Sequence, residues 1–478
     1  MSSNNKRLKA RRLTQEKHGW IHPLQSDGGA RYTQIANMII QAVKAGVLRA
    51  GDRLPPQREL AQELAVDLTT ITRAYNEVRM AGLLNAQGAS GTFISSPLAD
   101  RAETVDLSMN IPPSLGEDRF MRLMRAGLSH LEEQLSDGNF MSYHVGAGSK
   151  LDREAAVRWL EPAFGKLNRD RLVVCAGAQA AITGLLLAYS KSGDYVAAEA
   201  LTYPGLLAAC RVIQRKVVAV AMDNEGMIPE DLERICQAKK PKLIYVVPTM
   251  QNPTATTMSA SRREAIYAVA CRYGIPIIED DPYWLLALDA PKPIAALTGE
   301  GDAAPVFYIS TLSKCLAPGL RTAYILMPQQ ESAKLVLDAL RAMMLMPQQG
   351  TVSILTNWIY SGQAQKMLEH TRQELAQRQA IAASWLPDTC HAHPHGLHLW
   401  LALPQGQDVC RLVQLAQEQG LGILGSEAFC VEKIQPVQAL RLSLGGAKDK
   451  IHLAAALEKF ASILADPIGK QIKKEIIV

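Results

Sequence analysis

Long apolar runs and paired cysteines are both missing from this 478-residue sequence. No apolar run approaches the roughly 18–20 residues of a membrane-spanning helix, and no signal-peptide segment follows the basic N-terminus. The eight cysteines begin only at Cys175, and no two have C-x-x-C spacing. We therefore expect neither membrane insertion nor export, and neither a metal site nor a disulfide framework. The cytoplasm, a reducing compartment, fits this pattern best.

Positive charge is concentrated at the front of the chain, although the net charge is only +5. Residues 1–96 contain 13 Lys or Arg against 7 Asp or Glu, so the remainder is close to neutral. A polyanion such as nucleic acid would bind at this end. Residues 1–29 are expected to form a flexible basic arm, which either contacts phosphates or only keeps the terminus soluble.

A chain of this length exceeds one small domain, and its apolar periodicity changes along the sequence. Three helices and a Gly-rich hairpin are expected at Tyr32–Ala45, Arg58–Leu64, Leu68–Ala81 and residues 83–94. This order predicts a winged helix-turn-helix domain over residues 30–95. Residues 96–105 are polar and contain a proline, which is typical of a linker.

One run within the predicted winged helix carries a long signature. Gly51-Asp52-Arg53-Leu54-Pro55-Pro56-Gln57-Arg58-Glu59-Leu60-Ala61 resembles the G-x-x-L-P-S-x-R-x-L-A run of GntR-family bacterial transcription regulators, with Pro56 in place of Ser. The resemblance implies that Arg58 and the start of the third helix face double-stranded operator DNA. The helix offers hydroxyls and a guanidinium to phosphates and base edges at Thr69, Thr70, Thr72 and Arg73.

The start of the third helix departs from the family pattern. Asp67-Leu68 stands where family members usually have Ser-Arg, so one expected DNA contact is lost. Either the basic arm compensates for this loss or the operator sequence differs.

After residue 170, apolar runs of strand length alternate with helical stretches, which predicts an α/β domain around a largely parallel sheet. The runs are Arg171–Cys175, Tyr195–Ala198, Val217–Ala221, Leu243–Val247, Ile275–Ile278, Val306–Ile309 and Thr322–Leu326. Such sheets bind ligands beyond the carboxyl ends of their strands. Polar residues such as Asn252, Asp280 and Lys314 follow these runs, so we expect a binding site at that edge.

A second run carries the chemistry of the large domain. Ser313-Lys314-Cys315-Leu316-Ala317-Pro318-Gly319-Leu320-Arg321 is similar to the S-K-x-x-A-P-G-x-R run of fold-type I, aspartate aminotransferase-like enzymes, which use pyridoxal 5′-phosphate. The resemblance covers about residues 105–465. An aldehyde cofactor requires an amine for a Schiff base, and Lys314 is the candidate amine. Arg321 is expected to bind the cofactor phosphate. Further phosphate contacts are expected from Thr311, Ser313, Ala178 and Gln179.

The same resemblance assigns roles to residues around the cofactor ring. Asp280 would keep the pyridine nitrogen protonated, so that with Lys314 and Tyr283 it forms the predicted catalytic set. Tyr283 and Asn252 would hydrogen-bond the ring hydroxyl, and Tyr203 would stack on the ring. The remaining two roles concern groups other than the cofactor ring. Tyr143 would reach the phosphate of the neighbouring subunit, and Arg441 would hold a carboxylate of a substrate or effector.

A GntR-type winged helix followed by an aminotransferase-like domain over residues 106–478 is the layout of the MocR subfamily of regulators. A smaller C-terminal α/β subdomain is expected from about residue 345. The resemblance implies a head-to-tail homodimer whose DNA binding responds to pyridoxal phosphate, to an amino compound that exchanges with Lys314, or to both. Two alternatives stay open: a working aminotransferase with an accessory DNA-binding domain, and a DNA-binding scaffold with a vestigial cofactor pocket.

Overall fold

The computed structural model describes residues 20–25, 29–48, 52–80, 83–86, 92–94, 104–135, 139–299, 303–404, 407–432 and 437–465. The chain divides into two compact units, Met1–Glu103 and Thr104–Val478. Most of the predicted basic arm and all but the last two residues of the predicted linker lie outside the described residues. Among the described residues, no helix is long and apolar enough to cross a membrane.

The first unit is a winged helix, as the sequence predicted. Its elements are α1 (Arg31–Lys44), α2 (Gln57–Glu63), α3 (Leu68–Met80), β1 (Leu84–Ala86) and β2 (Thr92–Ile94). The two strands pair antiparallel to form the wing. The apolar residues that recur at helical spacing form one core, which includes Ile35, Ile39, Leu60, Ile71, Ala74 and Val78.

The second unit contains the remaining strands and helices. Its strands are β3 (Val105–Asp106), β4 (Leu172–Cys175), β5 (Tyr195–Glu199), β6 (Lys216–Val220), β7 (Met222–Asp223), β8 (Gly226–Met227), β9 (Leu243–Val246), β10 (Ile277–Asp280), β11 (Val306–Thr311), β12 (Ala323–Leu326), β13 (Cys390–Ala392), β14 (His398–Ala402), β15 (Leu421–Gly422), β16 (Leu424–Gly425) and β17 (Ala439–Ser443). Its helices are α4 (Glu117–Leu135), α5 (Lys150–Phe164), α6 (Ala178–Tyr189), α7 (Pro204–Val212), α8 (Pro229–Lys239), α9 (Ala260–Tyr273), α10 (Ala333–Met344), α11 (Gln349–Tyr360), α12 (Gln363–Trp385), α13 (Val409–Glu418) and α14 (Lys450–Ala465).

The main sheet has the strand order β4-β12-β11-β10-β9-β5-β6. Only β12 runs against its neighbours, which the sequence did not distinguish from the parallel strands. The carboxyl ends of the other six strands therefore share one edge of the sheet. Because helices cover both faces, β9, β10 and β11 are buried along their whole lengths.

A smaller sheet has the order β13-β14-β17-β16, and β3 pairs with β15 beside it. Its separate core includes Leu107, Leu399, Leu442, Leu453 and Phe460. Val105, the last residue of the predicted linker, thus begins a strand. Helix α11 packs in the large core, whereas the small core combines Leu107 with residues from Ala382 onward.

Local signals explain several helix boundaries. Ser149 and Asp152 form a reciprocal capping box at the start of α5. The Ser259 side chain caps α9, and Gly274, with φ of 62°, ends that helix in the left-handed conformation.

Candidate functional site

Most of the predicted cofactor residues lie at the carboxyl edge of the main sheet. Asp280 is the last residue of β10 and Thr311 the last of β11, although the apolar runs had ended two residues earlier. Asn252, Tyr203 and Lys314 follow β9, β5 and β11 respectively. Parallel strand direction therefore brings residues from distant parts of the sequence to one edge.

Lys314 is a largely buried amine with nearby positive charge. Its Nζ donates a hydrogen bond to the backbone carbonyl of Asn110. Burial, and then the charge of Arg441, lower the pKa of Lys314 to about 8, although Asp280 opposes this shift. At pH 7 about a tenth of the side chain is therefore the neutral amine, which is the nucleophilic form.

Asp280 is a buried carboxylate with one satisfied and one unsatisfied oxygen. The Tyr245 hydroxyl donates to Oδ2 at 2.6 Å, whereas Oδ1 has no partner among the described residues. Burial raises the pKa of Asp280 to about 6, against the effect of the Tyr245 hydrogen bond. A buried acceptor without a partner is costly, so this oxygen is suited to a donor on a ligand.

Tyr283 belongs to a buried network that also contains Asn110 and His398. Asn110 Nδ2 donates to the Tyr283 hydroxyl at 2.9 Å and lies 3.1 Å from His398 Nδ1. His398 Nε2 lies 3.0 Å from the carbonyl of Gln251. Burial lowers the pKa of His398 to about 3, so the ring is neutral. The Gln251 carbonyl requires the proton on Nε2, which leaves Nδ1 as the acceptor for Asn110.

Arg441 is a buried cation beside this network. Nη1 donates to Asn252 Oδ1 at 2.9 Å, and Nη2 donates to the carbonyl of Ser108. Nε has no partner among the described residues. Burial lowers the pKa of Arg441 to about 10, which leaves it charged at neutral pH. Among the described residues its hydrogen-bond acceptors are the neutral oxygens of Asn252 and Ser108 and not a carboxylate, so an anionic ligand group would complement its charge.

Arg321 lies against the start of α6. A Cβ atom on Gly177 would be 2.7 Å from Arg321 Nη2, so the guanidinium occupies space that only glycine leaves open. Gly177 also has φ of 89° and directly precedes Ala178 and Gln179, the first two residues of the helix. Free amides at a helix start beside a guanidinium form a suitable cradle for a phosphate.

Tyr203 approaches the same helix start through another glycine. A Cβ atom on Gly205 would lie 2.2 Å from the Tyr203 ring and 2.3 Å from Gln179 Oε1. Gln179 Nε2 donates to the Gly205 carbonyl at 2.9 Å. Further along the edge, the buried Thr311 hydroxyl donates to Ser313 Oγ at 3.1 Å.

One predicted residue is not part of this cluster, and several members of the cluster were missed. Tyr143 is 77% exposed, so its contact with a neighbouring subunit stays a prediction. Asn110 and Ser108 lie in an irregular segment without a recognisable pattern. Tyr245 and His398 belong to apolar strands, where their sequence context is typical of core residues.

The predicted DNA-contacting residues lie at the start of α2 and along the first half of α3. Arg58, Thr69, Thr72 and Arg73 are exposed, and Thr70 is half-buried. Two of them also have partners within the unit. Thr72 Oγ1 donates to Gln57 Oε1 at 2.8 Å, and the Arg73 guanidinium lies 3.8 Å from the centroid of the Tyr32 ring.

Replacing Asp280 by Asn should stabilise the cofactor-free protein above pH 6. The pKa of Asp280 is about 6 in the folded state and 3.8 is its ordinary value, so ionisation destabilises the fold progressively between these values. Asp280→Asn removes that cost, and we expect a gain of about 1–3 kcal/mol at pH 7.5 that disappears near pH 4. Denaturant unfolding at several pH values measures the difference.

The control is Asp289→Asn, at an exposed carboxyl whose pKa is lowered by a hydrogen bond with His393. This control should not gain stability at pH 7.5. Equal unfolding free energies for Asp280→Asn and the unchanged protein at pH 7.5 would show that Asp280 is not a buried charge.

Two protein families match the two units. Residues 102–458 match the aminotransferase class I and II family, and residues 31–94 match the gntR family of bacterial regulatory proteins. The vitamin B6 salvage pathway transcriptional repressor PtsJ of Salmonella typhimurium is 30% identical over 440 residues, which cover 90% of this chain and 97% of PtsJ. The HTH-type transcriptional regulator YdeF of Bacillus subtilis is 27% identical over 445 residues, or 91% of this chain and 94% of YdeF.

The second unit also resembles solved aminotransferases. The crystal structure of kynurenine aminotransferase from Pyrococcus horikoshii, in complex with PMP, superposes with a TM-score of 0.69 and 25% identity over 78% of this chain and 93% of that enzyme. The expected fold and cofactor class are thereby confirmed, because this fold-type I family depends on pyridoxal 5′-phosphate. The unpaired Asp280 oxygen and the cradle at Gly177 fit that group. The chain belongs to the aminotransferase class I and II family, in the form found in gntR-type transcriptional regulators, where a winged helix precedes the aminotransferase-like domain.

Proposed function

We propose that this protein is a transcription regulator whose binding to operator DNA is controlled by pyridoxal 5′-phosphate and by an amino compound at Lys314. The observation that carries the proposal is the unpaired, buried Oδ1 of Asp280 in a chain that also has a gntR-type winged helix. A vestigial pocket would not be expected to retain a buried, uncompensated carboxylate. The similarity to PtsJ, the transcriptional repressor of the vitamin B6 salvage pathway, supports a sensor of this cofactor.

We assign each residue at the sheet edge to a different part of the cofactor. When bound, pyridoxal 5′-phosphate supplies an aldehyde that condenses reversibly with amines. Lys314 would provide the amine, and Asp280 Oδ1 would accept a hydrogen bond from the ring nitrogen. Arg321 and the first amides of α6 would hold the phosphate, together with Thr311 and Ser313. Tyr203 would pack on the ring, and Tyr283 with Asn252 would hold the ring hydroxyl.

The effector we propose carries both an amine and an anionic group. Arg441 is a buried cation whose charge lowers the pKa of Lys314, so the two side chains interact electrostatically. An anion bound at Arg441 would offset that charge and raise the pKa of Lys314. A ligand that engages both residues therefore changes the protonation of the amine as well as occupying the pocket.

We also propose a head-to-tail homodimer that acts in the cytoplasm, where the operator DNA lies. A short segment carries the exposed apolar side chains Phe140, Met141 and Tyr143, of which Met141 is 91% exposed. Adjacent exposed apolar residues are typical of protein interfaces. This supports a role for Tyr143 in the neighbouring subunit's site.

A working aminotransferase is the second candidate function. It is favoured by the pKa of about 8 at Lys314, which keeps the amine reactive near neutral pH. In that case the winged helix would be an accessory domain.

Lys314→Ala should abolish the yellow colour of the protein purified with its cofactor. A Schiff base beside a protonated ring nitrogen absorbs near the edge of the visible range, and alanine offers no amine. Absorbance spectra of the variant, of the unchanged protein and of an exposed-lysine control, Lys366→Ala, provide the measurement. An unchanged visible band in Lys314→Ala would refute the assignment of this lysine.

Arg58→Ala and Arg73→Ala should each weaken binding to the DNA upstream of the protein's own gene. Each lost phosphate contact should reduce the slope of log affinity against log salt by about one. Arg79→Ala is the matched control, because Arg79 lies at the far end of α3 and bonds to Asn76 Oδ1 at 3.1 Å. Slopes that match the unchanged protein in both variants would place the DNA-binding face elsewhere.

An effector should change both the cofactor spectrum and the DNA affinity. We expect a change in affinity of about 5–150-fold, the usual range for coupling between two sites. The experiment screens amino acids and ω-amino acids for spectral shifts, then titrates operator DNA with and without each hit. Arg441→Ala should keep the cofactor band while losing the response to carboxylate-bearing hits. Turnover of a hit with a keto acid at constant DNA affinity would favour the aminotransferase instead.

A further inference from the structure

Four site residues are hydrogen-bonded to one short segment, residues 106–111, which we name the Asn110 segment. Lys314 Nζ donates to the Asn110 carbonyl, and the Asn110 side chain bonds to Tyr283 and His398. Arg441 Nη2 donates to the carbonyl of Ser108. A change in the bonding of Lys314 or of Arg441 therefore affects the same few backbone atoms.

The segment is also firmly attached to the small core. Leu107 is fully buried, and its carbonyl accepts a hydrogen bond from Ser443 N at 2.7 Å. A Cβ atom on Gly445 or Gly446 would lie 1.8 Å from the carbonyl oxygen of Ile111 or Asp106, respectively. Because contacts this close leave no room for local adjustment, a displacement of the segment must involve the small core as well.

The position of the segment in the sequence gives it a second connection. Ile94 ends the second strand of the wing, and only residues 95–103 separate it from Thr104, next to β3. The Asn110 segment is therefore the first site-contacting part of the second unit that follows the DNA-binding unit.

We propose that the Asn110 segment transmits the bonding state of Lys314 to the DNA-binding unit, an inference that rests on the proposed function. When its amine is free, Lys314 donates a hydrogen bond to the Asn110 carbonyl. Condensation of the neutral amine with the cofactor aldehyde forms a C=N bond and releases water, which contains the aldehyde oxygen and both amine hydrogens. The hydrogen bond from Nζ to Asn110 is then lost.

An amino ligand reverses this change. Its nitrogen replaces Lys314 at the cofactor carbon, one C=N bond breaks as another forms, and its two hydrogens end on the lysine amine. Lys314 can again donate to Asn110, while the anionic group of the ligand competes with Ser108 for Arg441. The segment thus has one set of bonds with cofactor alone and another with cofactor and ligand.

Asn110 acts in this scheme as a positioning residue. Its side-chain amide donates to Tyr283 and His398, while its backbone carbonyl accepts the hydrogen bond from Lys314. Asn110→Ala keeps the carbonyl but removes these two anchors. Met109→Ala is the matched control, because Met109 is adjacent and 58% exposed.

The first test measures amide hydrogen exchange of residues 105–111 in the full-length protein. The probes are pyridoxal 5′-phosphate alone, and then with aminooxyacetate, which carries an amine-type nitrogen and a carboxylate. Exchange should rise several-fold with the cofactor and fall again with aminooxyacetate. In Asn110→Ala it should be fast throughout, whereas Met109→Ala should behave like the unchanged protein. If the exchange of residues 105–111 in the wild-type protein does not change with either ligand, the inference is overturned.

The second test titrates operator DNA under the same three conditions. Ligand-dependent changes in affinity should fall below about twofold in Asn110→Ala and persist in Met109→Ala. Because Asn110→Ala could destabilise the site, a variant with four glycines inserted after Glu103 keeps every site residue. It should retain the exchange response but lose the DNA response. Full coupling in the glycine variant would overturn the inference.

These outcomes separate the inference from the proposed function. If ligands change the DNA affinity of the wild-type protein without changing the exchange of residues 105–111, the proposed regulatory function stands, but the Asn110 segment does not transmit the signal. If DNA affinity never responds to either ligand, the proposed function fails, and the inference fails with it.

Discussion

The burial of the Asp280 carboxylate is the constraint on which the organisation of the second unit depends. A carboxylate at the end of a fully buried strand is tolerated only when donors or cations meet it. Tyr245 supplies one donor from the adjacent strand, and the charge of Lys314 lowers the pKa of Asp280 against the effect of burial. The uncompensated oxygen makes the site incomplete by itself, so a bound ring with an N–H group would complete it.

Other acidic residues near Asp280 are also buried, and their charges are subject to the same constraint. Burial raises the pKa of Asp281 to about 6, of Glu279 to about 7 and of Glu199 to about 8. Glu279 accepts backbone N–H bonds from Ile294 and Ala295 at 2.8 Å each, whereas Glu199 Oε1 has no partner in the described part of the chain. The carboxyl edge therefore concentrates acid groups that the rest of the fold must stabilise.

The sequence predicted those parts of the molecule that depend on local pattern or on a motif. Strand-length apolar runs located all seven strands of the main sheet, and the run around Lys314 identified its chemistry. The antiparallel direction of β12 could not be predicted, because direction depends on pairing between distant strands. Nor could the roles of Asn110 and His398, since a hydrogen-bond network closes only when segments almost three hundred residues apart meet.

The first residues of the second unit also show why domain boundaries are difficult to predict from composition. Val105 has polar neighbours and resembles part of a linker, yet it pairs with Leu421 in a two-stranded sheet. The position of Val105 in the fold is determined by pairing with a strand more than three hundred residues later in the sequence. The DNA-binding unit is thus followed directly by chain that is structurally part of the small core.

The close approaches at Gly177, Gly205, Gly445 and Gly446 have a genetic consequence. Every possible replacement of a glycine adds at least a Cβ atom, and at these positions that atom would overlap a side chain or a carbonyl oxygen. Substitution by alanine would therefore cause the same type of steric overlap as substitution by a larger residue. At Gly445 and Gly446, where the overlap is with backbone carbonyl oxygens, loss-of-function alleles should accumulate irrespective of the substituted amino acid, whereas changes at Gly177 and Gly205 should displace the side chains of the cofactor cradle.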